Sequence, residues 1–219
     1  MTNSPEQIIS QTIDFVKTTL SGAEGGHDWW HILRVRNLAL HIAQTEPGDR
    51  FVVELGALLH DIADPKFHKG DETIGPRKAK KFLEGLGIDE KVIDHIEKII
   101  ANISFKGGTH KQSFHSPELA IVQDADRLDA MGAIGIARTF NYGGFKNREI
   151  YNPDIPPNPD MHKEVYKNST SPTINHFYEK LLLLKNRMNT STGKSMAEQR
   201  HRFMEQFLEE FFEEWNGQL

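Results

Sequence analysis

Cysteine is absent from the 219 residues. Disulfides, zinc–thiolate sites, iron–sulfur clusters and cysteine nucleophiles are excluded with it. Any metal this chain holds is bound through nitrogen and oxygen. No apolar run approaches the ~20 residues of a membrane span. The first residues, MTNSPEQIISQTIDFV, lack the basic-then-apolar order of a signal peptide. The expectation is a cytoplasmic protein with no membrane partner. Long basic runs are lacking too: the richest cluster is RKAKK at 77–81, and the net charge is −5. Duplex nucleic acid is therefore a poor partner, because binding it depends on releasing counterions from a basic surface. No segment alternates as a strand does, and no internal repeat is visible, so the chain reads as all-α.

What is present is ordinary for a soluble globular protein: 37% hydrophobic and 26% charged residues. Eleven histidines are many for this length. Ser4-Pro5-Glu6-Gln7 has the form of a capping box, and Ile9, Ile13, Val16 and Leu20 repeat at helical spacing after it, predicting a helix over 5–20. A second helix carries the stripe Ile32, Val35, Ala39 and Ile42. His27 and Asp28 stand at its start, where an aspartate suits a cap, and His31 lies on the edge of the stripe. A third places Phe51, Leu55, Leu59 and Ile62 on one face and stops before Pro65. Gly56 and Ala57 allow a neighbouring helix to come close. Weaker helical signals follow over 78–86, then Val92, Ile96, Ile99 and Ile103 mark another helix.

His60 and Asp61 end the apolar run of the third helix, directly after Leu58 and Leu59. Burying either is costly unless it is paired or bound to a metal. A His-Asp dipeptide alone is common, so the argument depends on what else converges there. Ser116-Pro117-Glu118 opens a helix with three aspartates, Asp124, Asp126 and Asp129. Periodicity puts Asp126 on the face of Leu119, Val122 and Ala133, with Asp129 one turn on, and turns Asp124 to the opposite side. Residues 141–172, rich in Asn, Pro and Gly, are expected to form a long irregular lid-like loop. The helices of 173–219 then pack on the core: one from Ser171-Pro172 bearing Ile174, Phe177, Leu181, Leu184 and Met188, and one from the capping box Ser195–Glu198 bearing Met204, Phe207, Phe211 and Trp215. Phe211, Phe212 and Trp215 suit packing within the chain or across a homodimer.

Three helices thus bring His31, the pair His60-Asp61, and Asp126 to their inner edges. Two imidazoles and two carboxylates suit one first-row divalent ion, with Mn²⁺, Fe²⁺, Co²⁺, Ni²⁺ and Zn²⁺ all compatible. The plainer readings are a hydrogen-bonded core histidine for His31 and an internal salt bridge, for instance with Arg34, for the aspartates.

The order His31…His60-Asp61…Asp126 resembles the HD-domain superfamily of metal-dependent phosphohydrolases, and is most similar to its small stand-alone bacterial members. Four runs carry the likeness: HDWWHILRV (27–35), LLHDIAD (58–64), DADRLDAMGAIG (124–135) and HFYEKLLLL…MNTSTGK (176–194). The resemblance covers nearly the whole chain. It implies a single all-α HD-type helical bundle over 1–219, one divalent ion (Mn²⁺ first, with Mg²⁺ also possible) and hydrolysis of a phosphoester or phosphoanhydride. It further implies a nucleoside triphosphate as substrate, cleaved to monophosphate and pyrophosphate by water activated on the metal. In that scheme His31, His60, Asp61 and Asp126 hold the ion, and Asp64 orients or deprotonates the water. Arg34, Lys66 and Lys106 meet phosphate, while His176 and Lys180 close over the phosphate tail. His27 and Asp129 hydrogen-bond around the ligands. Pro65 interrupts the acidic pair of alarmone hydrolases, and the extra histidines of two-metal cyclic-dinucleotide phosphodiesterases are missing. The alternatives are a phosphomonoesterase acting on mononucleotides or small phosphoesters, and an inactive metal- or nucleotide-binding sensor.

Overall fold

The computed structural model describes residues 3–22, 28–63, 71, 73–103, 112–159 and 170–219. Among the described residues there is no strand, as the missing alternation requires. No described helix is long and apolar enough to cross a membrane. The chain divides into two compact units, Met1–Ala125 and Asp126–Leu219.

The first unit is built on α3 (Arg50–Leu59), with Asp49 as its N-cap accepting the Phe51 and Val52 amides. Val52, Val53, Leu55, Ala57, Leu58 and Leu59 are all buried. A helix apolar on every side is a central one, and α3 packs on α1 (Pro5–Thr19), α2 (Trp29–Ile42) and α5 (Glu90–Asn102). Each fully buried leucine contributes about 1.5–3 kcal/mol. Gly56 is where neighbours approach: a Cβ there would meet Ile99 at 3.3 Å and Val122 at 3.5 Å. The capping box on α1 forms as its sequence requires. The next helix, α4 (Ile74–Gly85), begins earlier than the 78–86 pattern indicates and pairs with α5.

Next comes α6 (Pro117–Asp129), capped by Ser116 Oγ, which accepts the Leu119 amide at 3.1 Å. The division between the units falls inside this unbroken helix. Leu119, Ile121, Val122, Gln123, Asp124, Ala125, Leu128 and Asp129 are all buried. Asp124 was expected to point away from the apolar face, yet it is fully buried. The face argument supposes one wet side, and most of the circumference of α6 is enclosed.

In the second unit α7 (Gly132–Phe145) runs into the stretch expected to be loop, so residues 141–145 are helical. Glycines allow this. A Cβ at Gly143 would lie 2.3 Å from Thr173 Oγ1, so only glycine lets the 173 segment pass so close. Residues 146–159 remain without a long helix. The helix expected from 171 is split at Lys180, whose φ of −145° breaks α8 (Asn175–Glu179) from a 3₁₀ segment, Leu181–Arg187. The last helix, α9 (Ser191–Trp215), starts before the Ser195 box because Thr190 caps it, its Oγ1 accepting the Gly193 amide at 2.9 Å. Phe207 packs on Phe140 and Phe177, and Trp215 on Tyr151 at 5.0 Å. The C-terminal aromatics thus find partners within their own unit.

Two substitutions in α7 test this packing. A Cβ at Gly135 would fall 2.3 Å from the Ala130 carbonyl oxygen, whereas at Gly144 it would meet nothing within 4 Å. Gly135→Ala is expected to lose about 1–3 kcal/mol in chemical denaturation. Gly144→Ala should hold or gain up to ~1 kcal/mol from helix propensity. The opposite ranking would refute the close approach.

Candidate metal centre

His31 and His60 meet because α2 and α3 run antiparallel in a defined register. Five residues beyond His31 and six before His60, Arg36 Nε donates to Glu54 Oε1 at 2.8 Å. This half-buried pair is worth about 0–1 kcal/mol, but it resists sliding of one helix along the other. Asp28 caps α2 and accepts the His31 amide at 2.9 Å, which fixes His31 in the first turn. His60 caps the end of α3 in helical geometry, φ −60° and ψ −30°.

The two rings then face each other edge to face, Nε2 to Nε2 at 3.2 Å, with only 2% and 6% of the residues exposed. His60 Nδ1 lies 2.8 Å from the Ala57 carbonyl oxygen. That oxygen can only accept, so the Nδ1 carries a proton, and in the neutral ring this leaves the Nε2 lone pair facing His31. A backbone carbonyl on the far nitrogen is the usual support of a metal-binding histidine. One carboxylate oxygen of Asp126 joins the set: the three ligand atoms all lie within 4.8 Å of one another.

This donor set fits a divalent ion. Two nitrogens at about 2.1 Å from one ion, subtending roughly 100°, stand about 3.2 Å apart, which is the distance found. Two nitrogens and an oxygen with no sulfur suit the borderline first-row ions. Asp126 is half-buried, unlike the histidines, so the oxygen ligand marks the more open side.

The other expected site residues divide into three groups. His27, Asp64, Lys66 and Lys106 lie outside the described residues. Asp61 is half-buried and is not one of the three-residue set. His60 keeps helical geometry, so the following residue is turned by about 100° around the axis. Asp129 is enclosed, and its Oδ2 accepts from Arg138 at 2.5 Å. Arg34 is half-buried on α2, one turn after His31.

His176 and Lys180 belong to the second unit, the first half-buried and the second exposed. Desolvation, then the charges of Lys180 and Arg148, push the His176 imidazole down to about 3. At neutral pH it is uncharged, a hydrogen-bonding group and not a cation. Arg148 drew no attention in the sequence, where it is one arginine in an Asn- and Gly-rich stretch.

A further polar network buttresses the first unit. His95 Nε2 lies 2.9 Å from Ser116 Oγ and 3.4 Å from Glu118 Oε2, and Glu118 Oε1 accepts the Asp49 amide at 2.9 Å. Burial raises the Glu118 carboxyl, but the Asp49 amide and the other donors outweigh it and hold it below its usual range. This ties the start of α3 to α6, the two helices that carry His60 and Asp126.

Known proteins are similar to this chain. The family model described as HD domain matches residues 29–131, which include His31, His60, Asp61 and Asp126. A crystal structure of an HD-superfamily hydrolase from Bacillus thuringiensis is 47% identical, covers 97% of this chain and 99% of its own, and superimposes with a TM-score of 0.78. The uncharacterized protein YpgQ of Bacillus subtilis is 37% identical over 198 residues, 89% of this chain and 87% of YpgQ. Its crystal structure in complex with ADP matches with a TM-score of 0.76 at 34% identity, over 98% of this chain and 97% of that one.

Two measurements test the centre and its surroundings. Mn²⁺ is expected to raise the melting temperature of the wild-type protein and leave that of His60→Ala unmoved; an equal rise in both would reject the site. The second concerns pH. The folded-state pKa of His176 lies below its unfolded value, so its contribution to stability is complete above about pH 6.5 and is lost as pH falls toward 3. His176→Gln should flatten the acid limb of the stability curve by up to about 1.4 kcal/mol per pH unit in that window. Parallel limbs would contradict the shift.

Proposed function

The chain belongs to the HD-domain family, and from that premise we propose that it is a metal-dependent phosphohydrolase that converts nucleoside triphosphates to monophosphates and pyrophosphate. The observation that carries the reading is the convergence of His31, His60 and Asp126 within 4.8 Å. The ADP held by the Bacillus subtilis relative supports a nucleotide as the ligand class.

In this reading His31, His60 and Asp126 hold the ion, with Asp61 as the fourth ligand. Mn²⁺ is the ion of choice, and the ligand chemistry also accepts Fe²⁺, Co²⁺, Ni²⁺, Mg²⁺ or Zn²⁺. A divalent ion there supplies an acidified water and polarises a phosphoryl oxygen. Asp64 receives the proton of the attacking water. The water oxygen bonds to the α-phosphorus, the bond from that phosphorus to the bridging oxygen breaks, and pyrophosphate leaves with the electron pair. Arg34, Lys66 and Lys106 neutralise the phosphates, while Lys180 and the uncharged His176 hold the tail. Of the lid expected over 141–172, the first residues are helical and residues 160–169 lie outside the described residues. Nucleotides place such an activity in the cytoplasm.

The test is incubation of the purified protein with dNTPs, NTPs, mononucleotides and simple phosphoesters plus Mn²⁺, with products resolved. Pyrophosphate from triphosphates, lost with EDTA and in His60→Ala, is the expected result. Free phosphate from mononucleotides would replace this reading with a phosphomonoesterase, and turnover unchanged in His60→Ala would overturn the site.

A further inference from the structure

The basic cluster RKAKK at 77–81 takes no part in the metal centre, and α4 sorts its charges onto two sides. Arg77 Nη2 lies 3.1 Å from Asp71 Oδ2, and Lys80 Nζ lies 3.2 Å from Glu97 Oε2. Lys78 and Lys81 are exposed and pair with no carboxylate among the described residues. They stand one helical turn apart, on the side of Phe82 and Gly85. Together with Phe15 and Thr19 of α1, that side lines an open groove of about 520 Å³. Its apolar floor is the stack of Phe15 on Phe82, ring centroids 4.0 Å apart and planes within 9° of parallel. Gly85 keeps the groove open, since a Cβ there would meet nothing within 4 Å. An apolar channel between two helices, edged by unpaired cations, suits an amphipathic helix that carries aromatics and carboxylates.

The same chain carries such a helix end. From Phe203 to Trp215, α9 has five glutamates and no lysine or arginine. The ion pairs of α9 use Glu198 and Glu205. Beyond them Glu209, Glu210 and Glu214 are exposed and pair with no cation among the described residues. Trp215 is 51% exposed. The C-terminal end of a helix is its negative pole, where cations are favoured and carboxylates are not. Glutamates there repel one another and the dipole until a cationic surface meets them. Glu210 and Glu214 stand one turn apart, the spacing class of Lys78 and Lys81.

We propose that the groove between α1 and α4 receives the end of α9 from a second copy of this chain, which returns the same contact. Lys78 and Lys81 face Glu210 and Glu214, and Trp215 enters over the Phe15–Phe82 stack. Reciprocal exchange closes on a two-fold axis, and it doubles the area that either contact buries alone. No residue of the metal centre takes part, so the interface and the proposed activity stand or fall separately.

The experiment is sedimentation velocity of the full chain across micromolar concentrations, at low and high salt. A dimer is expected, weakening as salt screens the surface charges. Two charge-reversed chains follow, one with Lys78→Glu and Lys81→Glu, the other with Glu210→Lys and Glu214→Lys. Each alone should dimerise about 10- to 100-fold more weakly than wild type. Mixed in equal amounts they should recover a dimer of near wild-type affinity, because both contacts then join opposite charges. Gly85→Trp, which fills the groove from an open position, should also abolish pairing, with unchanged circular dichroism and melting temperature showing that it folds. A wild-type chain that stays monomeric would overturn the interface. So would a dimer indifferent to the groove variants. A mixture that stays monomeric would overturn it too, the outcome expected if each groove took the end of α9 from its own chain or a different partner.

Discussion

Two imidazole nitrogens held 3.2 Å apart in a nearly dry interior constrain everything around them. His60 has already committed its Nδ1 proton to the Ala57 carbonyl. In the neutral ring the Nε2 lone pair is then turned toward His31 and open to a proton or a cation. The surrounding helices are arranged so that this meeting is fixed before any ligand arrives. Asp28 anchors the start of α2, and Arg36 with Glu54 holds the register of α2 on α3. Preorganisation of this kind lets a site bind an ion without ordering its ligands at that moment.

Around that pair the central helices do two things at once. The buried faces of α3 and α6 lie in the apolar core, and the same two helices deliver His60 and Asp126. Function therefore inherits the rigidity of the core. The network of His95, Ser116, Glu118 and Asp49 adds polar tethers at the opposite end of α3 from His60. The second unit has a different character. It is stitched by aromatic contacts along α9 and by the enclosed Asp129, which accepts from Arg138. Its irregular 146–159 stretch returns beside α8 through backbone bonds to 173 and 174.

Some expectations failed for a common reason. Periodicity assigns a helix one inner face, which is right for α9, where Gly193, Ala197, His201, Met204 and Leu208 form a buried stripe. It is wrong for α6, where Asp124 is as enclosed as its apolar neighbours. Glycine was read as a breaker in Tyr142-Gly143-Gly144, yet it serves there as a place where Thr173 comes close. Thr190 outcompeted Ser195 as the cap because its hydroxyl meets the Gly193 amide first along the chain. Each of these depends on what stands next to the segment.

Residue types and spacings by themselves determined the all-helical class, the starts of α1 and α6 and the exclusion of thiolate chemistry, and they singled out His31, His60, Asp61 and Asp126 as a related set, three of which the structure brings within 4.8 Å of one another. Helical period, capping chemistry and the cost of burying charge act within a few residues, and so are written locally. Tertiary structure alone decided which nitrogen of His60 faces the Ala57 carbonyl, that Asp124 is enclosed and that Asp129 turns to Arg138. Those outcomes depend on contacts between segments far apart in the chain, and a distance across the fold leaves no periodicity along it.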